Sequence, residues 1–167
     1  VSVRTLDLTG FDINALLPLW SVDIAPERAA RLVADLQAQF LRPNGVTMIS
    51  TGDMHFDPQP AQGSAGVHPY WLTLIGEGLI ETGHVDLATD LLQRLINAQV
   101  AVLTRDKRFY EFYHPDEPRG LGEPGSVKGV IPVHLLLRVL GVRIQSKKQV
   151  WTGGPYHWGK AVSVTQY

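Results

Sequence analysis

The chain has no cysteine, which excludes disulfides and thiolate metal sites. It has no excess of charge either. Its net charge is −1, which removes the electrostatic case for nucleic acid or an anionic membrane as a partner. No apolar run approaches the roughly 18–20 residues that span a bilayer. The six histidines are scattered, with no His-x-x-x-His pair at helical spacing, so no metal is expected. A phosphate loop, a dinucleotide fingerprint and a Gly-x-Ser-x-Gly elbow are also missing, and no cofactor is expected. These absences leave cytoplasm and periplasm equally open.

What is present is a core. A chain of 167 residues that is 44% apolar and 19% charged fits one soluble globular domain of ordinary size. It opens at Val1 without Met or a leader pattern. It closes within the strand-like Ala161-Val162-Ser163-Val164-Thr165-Gln166-Tyr167. Both ends read as cuts through something longer.

Hydrophobic spacing predicts about four helices. Val1 to Leu8 alternates like a strand, and Asn14 to Trp20 is an apolar segment broken by Pro18. Ala25 to Phe40 places Ala29, Leu32, Val33, Leu36 and Phe40 on one face, with Pro26 suited to the first turn. Residues 43–68 read as a long loop, the kind that carries or covers a site. Pro69 to Glu81 reads as a helix containing Gly76 and Gly78. Each glycine costs about 1 kcal/mol against Ala, which implies close approach of a neighbouring helix. Val85 to Val102 follows after a tight turn and completes a helical hairpin. Residues 105–128 read as mostly loop, and Val130 to Leu140 as a buried helix closed by Gly141. From 142 onward the pattern turns to β, a hairpin or appendage around Gly153-Gly154-Pro155. Two units follow: a helical one over 1–141 and a β-rich one over 142–167.

Chemistry concentrates in Phe109-Tyr110-Glu111-Phe112-Tyr113-His114-Pro115, followed by the glycine-rich run from Gly120 to Gly125. Aromatic rings bind the apolar faces of sugars, and a carboxylate among them takes protons from water. Flanking aromatics are expected to desolvate Glu111 and raise its pKa.

Four stretches together resemble the C-terminal part of an (α/α)6-barrel glycoside hydrolase of the family 63 and trehalase-like family 37 type. They are Leu16-Leu17-Pro18-Leu19-Trp20 with Pro26 to Leu32; Gly45 to Asp53 with Phe56-Asp57-Pro58; Gly66-Val67-His68-Pro69 with the Gly76/Gly78 helix; and the segment around Glu111. The resemblance implies a mainly α fold, part of a toroid of helical hairpins with a short C-terminal β appendage. It implies an inverting hydrolase of α-glucosidic or related linkages, with Glu111 as general base. His68, Tyr113, Asp53 and Trp71 become substrate-binding candidates. Such an enzyme needs a second carboxylate about 6.5–9.5 Å away as general acid. No stretch here resembles that acid's surroundings, so it is expected before Val1, and the isolated chain is expected to be inactive. The expected partners are a glycoside or oligosaccharide and the rest of the same polypeptide.

The sequence departs from the family pattern at three places. His68 stands where the family has Trp, the aromatic and Arg near Gly63 and Ser64 are absent, and Gly125-Ser126-Val127-Lys128 replaces Phe-Ser-Trp-Thr. Plainer readings accompany each candidate. Glu111 reads also as an exposed loop residue, Asp53 as a turn cap, His68 as a helix-start residue, and Trp20, Trp71 and Tyr113 as core. Glu77 reads as a solvated face, Glu123 as a possible cleft residue, and Trp151, Tyr156 and Trp158 as packing for the β tail. Two other functions stay open: a non-catalytic carbohydrate-binding or structural helical module, and an (α/α) lyase or epimerase using His68 with Tyr70 or Tyr113.

Overall fold

The structure is a computed structural model, and it describes residues 11–21, 23–59 and 64–153. Within them the fold is mainly α with three small antiparallel strand pairs. A 3-10 helix, Ile13–Trp20, opens the described chain and carries Pro18 inside it. The Asp12 side chain caps it by accepting from the Asn14 N–H at 2.9 Å. Helix α1 spans Pro26–Asp35 with Pro26 in its first turn. It continues into a wider π turn, Leu36–Phe40, which buries Leu36 and Phe40. Strands β1 (Leu41–Arg42) and β2 (Gly45–Val46) form a tight hairpin over Pro43-Asn44, so the expected long loop begins with local structure.

Helix α2 is Pro69–Glu81 and α3 is Val85–Asp106, which makes the predicted helical hairpin. Its apolar faces close on each other and on α4, Val133–Val139, and the 3-10 helix. Leu16, Leu19, Leu79, Leu91, Leu92, Leu95, Leu135 and Val139 are sealed in that core. Each such side chain gains about 1.5–3 kcal/mol on leaving water. The two glycines of α2 have the predicted cause. A Cβ on Gly76 would lie 2.5 Å from Leu135 Cδ2, and one on Gly78 would lie 2.6 Å from the Leu19 carbonyl carbon. One glycine admits a side chain of α4 and the other admits backbone of the 3-10 helix.

Two expectations need correction. The 105–128 stretch is not mostly loop. Helix α3 runs on to Asp106, and β3 (Tyr110–Tyr113) then pairs antiparallel with β4 (Gly120–Pro124). Aromatic residues favour strands, and this preference outweighs the glycine content of the partner strand. Among the described residues the C-terminal hairpin is β5 (Val142–Ser146) with β6 (Gln149–Thr152), turning at Lys147-Lys148, while Gly154 and Pro155 of the expected turn lie outside the described residues. Trp151 is 55% exposed, so it is not packed away as expected. The readings made for Val1 to Leu8, Tyr156, Trp158 and the last strand-like segment lie outside the described residues.

Candidate active site

The backbone around Val67 builds the site. Val67 N–H donates to the Tyr113 carbonyl at 2.8 Å, and Tyr113 N–H returns a bond to the Val67 carbonyl at 3.0 Å. On its other side Val67 bridges to Thr47. The entry to α2 is therefore stitched to β3 as if it were a third strand. This places His68, one residue on, beside Phe112, one residue back. Their rings stack with centroids 4.5 Å apart and planes 14° from parallel. Glu111 comes to the first turn of α2 by the same stitching.

The β3–β4 pairing carries a bulge at this point. Tyr110 faces Pro124 and Phe112 faces Leu121, so Glu111 alone stands opposite Gly122 and Glu123. Gly122 takes φ +72°, a left-handed geometry that suits glycine. A Cβ there would also meet Glu111 Cβ at 2.9 Å. Bulges bend a strand and re-aim its side chains, and here the re-aimed group is the carboxylate.

Glu111 lines a groove of about 520 Å³ with His68, Tyr70, Trp71, Thr73 and Lys128. Val127, Val130 and Pro132 contribute the apolar wall opposite α2. Lys128 Nζ donates to Glu111 Oε1 at 2.9 Å, with the Glu111 side chain 29% exposed. That hydrogen bond, joined by one from the Glu123 backbone N–H, holds the Glu111 carboxyl below the usual carboxylate range. Partial desolvation acts the other way and loses. The expectation of a raised pKa is thereby corrected: the flanking aromatics are present, but a cation sits closer. The same bond pushes the Lys128 ammonium up. Both groups are charged at neutral pH.

The remaining candidates separate cleanly. His68 and Trp71 line the groove with Glu111. Tyr113 does not: it is wholly buried, and its hydroxyl donates to the Gly129 carbonyl at 2.9 Å. Its assignment to substrate is corrected to a core residue beneath the site. Tyr70, 65% exposed, is the tyrosine that lines the groove. Asp53 lies outside the groove lining. Its Oδ1 accepts from the His55 backbone N–H at 2.8 Å and lies 3.0 Å from His55 Nδ1. These bonds hold its pKa low, and Asp53 caps its own loop through Oδ1. Glu77 is not a solvated face either. Its side chain is 16% exposed, with Oε1 2.5 Å from His134 Nδ1 and Oε2 accepting from Trp20 Nε1 at 3.4 Å. Among the described residues no group of three or more acidic or histidine side chains is placed to hold a metal ion.

Sequence reading missed Lys128 and Thr73 as groove residues, and named Tyr70 only as a partner of His68 in the lyase or epimerase alternative. Lys128 had a signal, as it stood among the departures from the family pattern. Its bond to Glu111 spans 17 residues and follows no local periodicity.

The fold has known counterparts. An uncharacterized conserved protein from Thermus thermophilus superposes with a TM-score of 0.58 at 19% identity, over 73% of this chain and 28% of that one. A GH63 mannosylglycerate hydrolase from the same organism, in complex with glucose, superposes with a TM-score of 0.56 at 20% identity, over 72% of this chain and 28% of its own. The fold is family 63-like. The same hydrolase in complex with Tris gives 0.55 at 22% identity, over 71% and 27%. The chain thus spans little more than a quarter of the length of the family 63-like structures it resembles. No family's sequence model and no curated protein matches it.

Proposed function

We propose that this chain supplies the general base and one wall of the sugar groove in an inverting glycoside hydrolase built as an (α/α)6 toroid. The observation that carries this reading is the Glu111 carboxylate, which lines a groove with Tyr70, Trp71 and His68 in a family 63-like fold. Glu111 accepts a proton from water while the water oxygen attacks the anomeric carbon. The leaving oxygen takes a proton from an acid about 6.5–9.5 Å away. That acid belongs to the portion of the toroid this chain does not supply, and linkage to an α-glucosidic or related sugar rests on the family resemblance. The chain by itself binds sugar without cleaving it.

The test uses the longer polypeptide that this reading requires. Aryl glycosides and disaccharides should be cleaved with inversion, and Glu111→Gln should abolish turnover while leaving sugar binding measurable. Full turnover by the Gln variant overturns the assignment. A second reading has its own support, since His68 and Tyr70 share the groove as an acid/base pair would. Elimination by such a pair yields an unsaturated product that absorbs in the ultraviolet, and its appearance selects a lyase.

A further inference from the structure

The core makes an unusual commitment to one carbonyl. Gln99, on α3, is 1% exposed, and Tyr113 is 0% exposed. Gln99 Nε2 donates to the Gly129 carbonyl oxygen at 2.6 Å, and the Tyr113 hydroxyl donates to the same oxygen at 2.9 Å. Both lone pairs of that oxygen are then used. Gly129 is itself wedged: a Cβ there would lie 1.5 Å from the Tyr110 carbonyl oxygen. A buried backbone carbonyl costs free energy unless paired, and a single donor meets that need. Two buried donors on one loop carbonyl therefore point to a demand for position. The residue preceding Gly129 in the 3-10 turn Val127–Gly129 is Lys128.

We infer that Gln99 and Tyr113 clamp the Gly129 carbonyl so that Lys128 acts as a positioning residue, fixing the charge and aim of the Glu111 carboxylate. The lysine side chain is 68% exposed, and a free surface lysine samples many rotamers at an entropic cost to any ion pair. Fixing its backbone from the core leaves only the side-chain share of the ordering cost to be met. Burial pushes the Tyr113 phenol up, so it remains a hydrogen-bond donor at any working pH. The groups facing Glu111 are Lys128, His68 and the backbone of Glu123, while the Glu123 carboxylate acts on Lys128. With Lys128 in place the base stays ionised to lower pH than an ordinary glutamate. Removing Lys128 raises the pH at which Glu111 gains its proton.

The inference rests on Glu111 being the base, but its test needs no saccharide. In the full chain with carboxyl-labelled glutamate, the Glu111 resonance is titrated by NMR. Lys128→Met should move its midpoint to higher pH, and Lys128→Arg should restore it. Tyr113→Phe should move it in the same direction, and should add nothing in a Lys128→Met background. Gln99→Met serves the same arm should Tyr113→Phe fail to give a folded amide spectrum. An unmoved midpoint in Lys128→Met overturns the inference. So does a Tyr113→Phe effect that persists undiminished once Lys128 is gone, because the hydroxyl then acts on Glu111 by another route. A hydrolysis assay that fails in the longer polypeptide sinks the hydrolase reading and leaves the clamp standing.

Discussion

The imidazole of His68 lies flat on the ring of Phe112, with centroids 4.5 Å apart. It holds the position where the resembled family has a tryptophan, and it lines the groove beside Glu111. Phe112 is 4% exposed, so the stack fixes the histidine against the body of the protein. His68→Ala removes that wall. Saccharide affinity should fall about five- to tenfold, near 1 kcal/mol, as for the loss of one stacked ring. Isothermal titration with oligosaccharides on wild type and variant measures it, and equal affinities place the sugar elsewhere.

Gly78 sets two effects against each other. Alanine in a helix interior gains about 1 kcal/mol over glycine, while overpacking a tight contact costs about 1–3 kcal/mol. The Cβ of Gly78→Ala would lie 2.6 Å from Leu19 backbone, which cannot rotate away. Packing should win, with a net loss of up to about 2 kcal/mol in urea unfolding. A stabilised variant contradicts the close approach.

His114 gives a pH dependence with a definite sign. It is 2% exposed, and its Nδ1 accepts from the backbone N–H groups of Asp116 and Glu117, each at 3.1 Å. Burial first, and the Arg119 charge second, lower its pKa from 6.5. The unfolded chain therefore takes up a proton that the folded chain refuses as pH drops below 6.5. Its contribution is present above that value and is lost as pH falls toward the folded value. His114→Gln keeps an acceptor and removes the titration. Unfolding midpoints of the two proteins should converge between neutral and mildly acid pH, and parallel curves reject the account.

Asn44 ties two hairpins together. Its Nδ2 donates to the carbonyls of His114 and Glu117, both at 2.8 Å, and its backbone N–H donates to the Pro115 carbonyl at 2.9 Å. Asn44→Ala strips both side-chain bonds and should cost about 1–2 kcal/mol. Hydrogen exchange at Asp116 and Glu117 should quicken in step. Unchanged exchange there means that the Arg42–Asp116 ion pair, 2.7 Å apart, holds the corner alone.

The helices were legible because their apolar residues recur at helical spacing. Pro69 and Glu81 bound α2 as the sequence suggested, and Gly76 and Gly78 announced their contacts. The β3–β4 pair was harder to read. Gly120-Leu121-Gly122-Glu123-Pro124 has no alternation, and its glycines serve a bulge that appears only when the strands meet. Glu111 stood out from its aromatic neighbours, and His68 and Trp71 do share its groove. The direction of its pKa depended on Lys128, which tertiary packing alone brings within 2.9 Å. Of the two readings offered for Tyr113, substrate contact and core, burial selects the core. Glu77 was misread because Trp20 and His134 approach it from distant segments.

One consequence follows from the clamp inferred on the Gly129 carbonyl. On that inference, substitutions hidden from solvent at 99 and 113 become tuning screws for acidity at 111, so inherited variation in the interior surfaces first as a shifted titration of one carboxylate.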